Sequence, residues 1–159
     1  MPKITPFLWF DTQAEDAANL YVSIFPNSRI TSVSRYAREA PGAAAGQVMT
    51  VTFEIDGQKV TALNAGPMFK LSEAFSFVID CDGQDEVDHY WNALTANGGQ
   101  ESQCGWLKDR FGLSRQVTPR QLIEMTTSPD REAAGRAFQA MMGMKKIDIA
   151  ALRAAFEGG

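Results

Sequence analysis

Apolar and polar residues along this chain fall into two similar passes followed by a tail. Residues 4–10 form an apolar, aromatic run that stops at Asp11-Thr12, the pattern of a mostly buried strand. Residues 14–25 then set Ala17, Leu20, Tyr21, Ile24 and Phe25 at helical spacing. Thr12 is placed to cap this helix, and Glu15-Asp16 oppose the positive end of its dipole. Pro26-Asn27 stops it. Residues 29–36 alternate as a strand does, and residues 39–46, with Pro41 and four alanines, read as a mobile loop. Two further strands, residues 47–55 and 59–64, flank Asp56-Gly57, a hairpin signal because Gly tolerates the positive φ of a tight turn. The first half therefore predicts βαβββ.

The second pass repeats the order. Residues 75–79 are strand-like, and residues 85–94 place Val87, Tyr90, Trp91 and Leu94 on one helical side before Asn97-Gly98-Gly99. Residues 100–109 and 113–118 are strands around a turn at Arg110-Phe111-Gly112. A shift of 70 positions brings Phe7 onto Phe77, Glu15 onto Asp85, Asp16 onto Glu86, Tyr21 onto Trp91, Ile24 onto Leu94 and Asn27 onto Asn97. This internal repeat predicts an α+β fold of two βαβββ modules, residues 3–66 and 73–127, together forming a curved mixed sheet. Helices would cover its outside, and the alternating strand faces would line a cup. A C-terminal helical extension, residues 128–159, would pack on the same domain or on a dimer partner. It opens at Ser128-Pro129-Asp130 with Ser128 as cap and Pro129 in the first turn, runs through Met144, and adds a short helix capped by Asp148. Met141, Met142 and Met144 read as packing residues.

Composition narrows the chemistry. The chain has 159 residues, 15 Lys plus Arg against 19 Asp plus Glu, and a formal charge of −4. Without a Lys/Arg block it carries no electrostatic footprint for nucleic acid or an anionic membrane. No apolar run approaches the roughly 20 residues of a membrane span. One histidine, His89, excludes a His-rich metal centre in a single chain. Cys81 and Cys104 are too few and too far apart for a disulfide framework, and no signal-like segment opens the sequence, so a cytoplasmic protein is expected.

Three stretches carry a family resemblance: Ile4-Thr5-Pro6-Phe7-Leu8-Trp9-Phe10-Asp11, Gln84-Asp85-Glu86-Val87-Asp88-His89-Tyr90-Trp91, and Gln103-Cys104-Gly105-Trp106-Leu107-Lys108-Asp109-Arg110-Phe111-Gly112. The chain resembles the PhnB-like, 3-demethylubiquinone-9 3-methyltransferase group of the vicinal oxygen chelate (glyoxalase/bleomycin-resistance/dioxygenase) superfamily. The resemblance implies paired βαβββ modules around a cavity, in a homodimer. Two positions depart from the group's pattern: Arg115 stands where Trp precedes Gln116, and Met68 stands where the Gly-Pro-x-Phe stretch often has His.

Metal-dependent members of that superfamily resemble one another in placing ligands on the first and last strands of the modules. Here those slots fall on Thr5, Phe75, Gln116 and a position near Ala62 or Asn64. An uncharged set of this kind is too weak a donor group to offset dehydration of a divalent ion, so no metal and no other cofactor is expected. S-adenosylmethionine enzymes mostly use a Gly-rich turn between strand and helix, and the glycines here are scattered. His89 reads as a solvated surface residue, Cys104 as structural, the acidic residues around Asp85 as dipole compensation, and Glu124 as a weak acid/base candidate.

The function expected is binding of a small molecule in an aromatic-lined cup. Thr5, Phe7, Trp9, Asn64, Phe75, Phe77, Trp106, Arg115 and Gln116 are its candidate lining, with Arg115 suited to an anionic or carbonyl-bearing ligand. The alternative is an enzyme: a metal-dependent lyase or dioxygenase, or the methyltransferase of the group's name.

Overall fold

The structure is a computed structural model in which residues 3–159 are described. They divide into two compact units that meet in sequence between Leu71 and Ser72.

The first unit contains β1 (Phe7–Phe10), α1 (Ala14–Ile24), β2 (Arg29–Arg35), β3 (Val48–Ile55) and β4 (Gln58–Asn64). Its four-stranded sheet has the order β1-β4-β3-β2, with β1 parallel to β4 and the other pairs antiparallel. The helix buries Ala14, Ala17, Ala18 and Tyr21, the i, i+3, i+4, i+7 stripe of an amphipathic helix. Three alanines in that stripe let the helix lie close to the sheet. Tyr21 reaches Phe53, ring centroids 6.1 Å apart, beside fully buried Val51, Val60 and Ala62.

Thr12 does not cap α1. The residue before the helix is Gln13, which makes no side-chain cap. Asn64 caps it from the sheet, its Oδ1 accepting a hydrogen bond from the Ala14 N–H at 2.8 Å while its Nδ2 donates to the Val48 carbonyl at 3.2 Å. The parallel register explains this, since Asn64 ends β4 directly opposite Phe10, where the chain leaves β1 for the helix. The segment expected to be a mobile loop is instead tied by backbone hydrogen bonds. Gly46 donates to the Tyr36 carbonyl at 2.8 Å, Tyr36 donates to Gln47, and Ala40 and Ala43 bond reciprocally. Gly42, at φ +80°, lies against Gly66, where an added Cβ would stand 3.2 Å from the Gly66 Cα.

The second unit contains β5 (Ser76–Cys81), α2 (Gln84–Thr95), β6 (Gln100–Glu101), β7 (Trp106–Lys108) and β8 (Ser114–Pro119), in the order β5-β8-β7-β6 with β5 parallel to β8. Val87, Trp91 and Leu94 of α2 are buried. The strand expected across residues 100–109 is broken in two. Cys104 and Gly105 take positive φ, and their N–H groups donate to the Met144 and Lys145 carbonyls, both at 2.8 Å. A Cβ at Gly105 would meet the Val117 carbonyl and Ile147, each at 3.0 Å, so a side chain there would push the tail away.

One helix that was not expected, α3 (Arg120–Thr126), follows β8, and residues 128–159 form the two that were, α4 (Arg131–Met142) and α5 (Ile149–Phe156). α3 begins directly after Pro119, and Leu122 and Met125, three residues apart, were its signal. These helices share a core of Leu122, Met125, Ala137, Ile147 and Leu152, against which Met141, Met144 and Phe156 pack. Asp130 and Asp148 cap α4 and α5 through the Ala133 and Ala151 N–H groups. Gln84 clamps the tail to α2, donating to the Ile147 carbonyl and accepting from the Ile149 N–H, and Lys146 pairs with Asp88 at 2.9 Å.

The repeat is present with one change of offset. The helices start 70 residues apart, at Ala14 and Gln84, but three residues separate β1 from α1 and two separate β5 from α2. The strands are therefore offset by 71: buried Leu8 opposite Ala62 corresponds to buried Ile79 opposite Val117. Phe7 corresponds to Val78, and Phe77 turns to the helix side.

Asn64→Ala removes the α1 cap and strands the Val48 carbonyl. It should lower stability by about 1–2 kcal/mol, read as a reduced urea midpoint with an unchanged m-value.

Candidate functional site

In the first unit the sheet face turned away from α1 collects aromatic and hydroxyl side chains. Phe7 and Trp9 alternate with buried Leu8 and Phe10. In register with them stand Thr61 and Leu63 of β4, then Thr52 and Thr50 of β3, then Ser32 and Ser34 of β2. Trp9 Nε1 donates to the Gly66 carbonyl at 2.9 Å, which fixes the indole, and Phe69 packs edge-on against it with centroids 4.9 Å apart. Phe7 is 60% exposed and Phe69 59%. Thr52 and Thr61 share a hydrogen bond at 3.2 Å, Ser34 and Thr50 one at 2.5 Å. Thr5, half-buried, precedes β1. Asn64 points to the opposite face, with both ends of its amide engaged in the cap.

In the second unit, Trp106 and Gln116 lie on the face turned away from α2, opposite each other in register, and Gln116 Nε2 donates to Ser76 Oγ at 3.0 Å. Lys108, in the same strand as Trp106, pairs with Glu73, and its hydrogen bond holds the Glu73 carboxyl below the usual range. Phe75 precedes β5 and stands edge-on to Phe77 at 5.5 Å.

Arg115 is on the helix side and only 1% exposed. Its Nε lies 3.7 Å from Asp109 Oδ2, and its guanidinium carbon sits 5.1 Å above the Phe77 ring. The other Asp109 oxygen accepts from the Phe111 and Leu113 N–H groups at 2.9 and 3.1 Å, so one buried carboxylate holds both the turn and the guanidinium. The cation in the lining set is thus directed into the interior of its own unit.

The remaining candidates have structural partners. Glu124 pairs with Arg120 at 2.8 Å on the surface, and Arg120 also meets Asp82. His89 lies against the Tyr90 ring. Cys81 is buried, which pushes its thiol up to about 12, with Glu86, Asp80 and Asp82 adding to the effect. Cys104 is half-buried, its Sγ 3.8 Å from Met142 Sδ. Sequence reasoning missed Phe69 and the two hydroxyl pairs. The period-two alternation of Thr and Ser in residues 50–52 and 32–34 was the signal for the pairs, and the Gly66-Pro67-Met68-Phe69 stretch was the signal for Phe69.

The metal of the superfamily can be tested against donor chemistry. On the faces turned away from the helices, β1 offers Phe7 and Trp9, β4 Thr61 and Leu63, β5 Ser76, Val78 and Asp80, and β8 Ser114, Gln116 and Thr118, a set with one carboxylate and no imidazole, while Ala62 and Asn64 face the helix. Among the described residues no group of three His, Cys, Asp or Glu side chains could hold a metal ion. The residues do not fit a divalent ion of that kind.

A family model described as 3-demethylubiquinone-9 3-methyltransferase matches residues 2–118, more than half of the sequence. The chain belongs to that family. Among solved structures, this family member is similar to the PhnB protein of Bacillus cereus, which carries the same methyltransferase name. The two are 32% identical over 74% of this chain and 99% of that one, with a TM-score of 0.67. Protein PA1353 of Pseudomonas aeruginosa, 19% identical, matches over 75% and 98% with a TM-score of 0.62. The fosfomycin resistance protein FosX of Listeria monocytogenes, 16% identical, matches over 77% and 94% with a TM-score of 0.54. A comparison with curated proteins gave no match. These likenesses place the fold in the vicinal oxygen chelate superfamily.

Two outcomes follow from the second unit. Asp109→Ala leaves a buried guanidinium without its carboxylate and should cost about 3–5 kcal/mol, and in a double-mutant cycle adding Arg115→Met should recover only part of that loss, the Phe111 and Leu113 N–H groups still lacking their acceptor. In the native protein at pH 8, Ellman's reagent should label Cys104 quickly and Cys81 only after denaturation, giving one fast thiol per chain and two in urea.

Proposed function

We propose that this chain binds a small organic molecule on the aromatic sheet face that carries Phe7 and Trp9, without the divalent metal of its superfamily. The observation that carries this reading is the Trp9 indole, fixed through Nε1 to the Gly66 carbonyl and flanked by the accessible rings of Phe7 and Phe69. A rigid, accessible ring cluster lying beside hydroxyl groups suits recognition of an organic ligand. Thr5, just before β1, belongs to this lining. Gln116 and Trp106, with Phe75 before β5, are proposed as lining of the second unit's own outward face. A homodimer is part of the proposal, since Val33 on the edge strand β2 is exposed and a second chain would protect such an edge. No helix among the described residues is long and apolar enough to cross a membrane, and the free thiols of Cys81 and Cys104 fit a reducing cytoplasm.

The methyltransferase name supplies the second reading. Against it stand the strand-to-helix connections: residues 11–13 contain no glycine, residues 82–83 contain one, and each sheet has a single parallel strand pair. That is poor material for the Gly-rich cofactor turn of a parallel sheet. The test is thermal shift of the purified protein with manganese, nickel, zinc, iron(II), S-adenosylmethionine and a metabolite panel, alongside elemental analysis. The expected result is stabilisation by organic ligands alone, reduced by Trp9→Leu. Stoichiometric metal lost on Gln116→Ala, or a shift at micromolar S-adenosylmethionine, overturns it.

A further inference from the structure

We infer that the outward face of the second unit binds a carboxylate attached to a compact apolar body, with Lys108 as the cation and the protein's own Glu73 as a competitor for it. The inference goes beyond the reading of the Trp9 face and does not depend on it. Backbone register sets Lys108 of β7 opposite Ser114 of β8, and Ser114 opposite Ser76 of β5, so one ammonium and two hydroxyls form a row across three strands. Ser114 Oγ is buried and has no hydrogen-bond partner among the described residues, although a hydroxyl in such a place ordinarily finds one. Ser76 Oγ accepts from Gln116 Nε2 and keeps its own hydrogen to donate. A carboxylate, with two acceptor oxygens and one charge, matches an ammonium accompanied by two hydroxyl donors.

The group that Lys108 now holds supports that match. It is the Glu73 carboxylate, and the pairing keeps that carboxyl below the usual range, so the anion is the form this position favours. Glu73 belongs to no strand or helix and its side chain is 65% exposed, against 32% for Lys108. An ion pair this exposed exchanges readily for another of the same charge, and a ligand that reached the Ser114 hydroxyl would add a bond that Glu73 leaves unmade. The next row along the strands supplies the apolar contact: Trp106 stands opposite Gln116, and Gln116 opposite Val78, which is exposed. Asp80, the outward carboxylate of β5, lies about 13 Å along the strand from Ser76, too far to repel an anion at Lys108 strongly at physiological salt.

Isothermal titration of the full chain at physiological salt tests this with benzoate, its neutral isostere benzamide, and inorganic phosphate. The expected result is benzoate binding at least tenfold tighter than either of the others. Glu73→Gln should tighten benzoate several-fold, because the internal competitor loses its charge, and Lys108→Met should abolish the preference over benzamide. Ser114→Ala should weaken benzoate several-fold without lowering the urea midpoint, since the hydroxyl it removes has no partner within the protein. Arg131→Gln, a change at an exposed cation of α4, should leave benzoate affinity as it is. Failure of benzoate to bind, benzamide or phosphate binding as tightly, or Glu73→Gln leaving benzoate unchanged or weaker overturns the inference and leaves the Trp9 reading standing. Benzoate binding that survives Lys108→Met but is lost on Trp9→Leu belongs to the first unit's face and overturns the inference as well.

Discussion

The helices α1 and α2 each cover one face of their own four-stranded sheet, and that coverage forces every strand residue into one of two environments. A strand alternates its side chains with a period of two, so the backbone register of the parallel pair beside the helix decides which residues are core and which are accessible. In the first unit the pairing of Phe10 with Asn64 settles the matter, because it brings the Asn64 amide under the first N–H of α1 and sends Phe7 and Trp9 outward. The cap, the core of Tyr21 and Phe53, and the aromatic face are three consequences of one alignment. Moving it by one residue would bury Thr61 and expose Ala62, at a cost that a small unit cannot carry.

The second unit uses the same plan with different chemistry on its helix side. Where the first unit has Thr61 opposite Phe7 on the outer face, the second has Arg115 opposite Phe77 on the inner one. A buried guanidinium is tolerable only when its charge is matched, and Asp109 matches it while also holding the turn through the Phe111 and Leu113 N–H groups. The Phe77 ring beneath adds a further favourable contact. The departure of Arg115 from the family pattern is therefore a feature of this unit's interior, and the accessible faces are left without the cation that its sequence position suggested.

Element types were legible in the sequence because amphipathic periodicity and turn residues act locally. The α1 and α2 stripes, the Asp56-Gly57 hairpin and the Asp148 cap all follow from neighbours a few residues apart, whereas the α4 cap falls on Asp130, two residues past the expected Ser128. What could not be read depended on distant partners. Asn64 looked like a polar anchor because nothing near it in sequence names Ala14 as its partner. Phe77 looked like the twin of Phe7 because the helices repeat at 70 residues, while the shorter connection before α2 shifts the strands to 71. Cys104 and Gly105 interrupt a strand because the tail 40 residues later supplies the carbonyls that their N–H groups take. The α3 helix, with only Leu122 and Met125 as local evidence, is held in place by contacts with α4 and α5.

The scarcity of carboxylates and imidazoles on the outward strand positions bears on how a shared fold can change its chemistry. Superfamily members that hold a divalent ion need carboxylates or imidazoles at strand positions whose alternation points them outward. Such groups are stable there only while the ion neutralises them and completes their hydrogen bonds. In this chain the outward positions of β1, β4 and β8 carry rings, hydroxyls, Leu63 and one amide, and several of the polar ones are bonded within the protein: Trp9 to Gly66, Thr61 to Thr52, Gln116 to Ser76. Building a divalent site there would take several coordinated substitutions, because a lone carboxylate such as Asp80 supplies neither the charge nor the number of donors that such an ion needs. The same backbone that can cradle an ion here presents outward positions that are mostly neutral and partly bonded to one another.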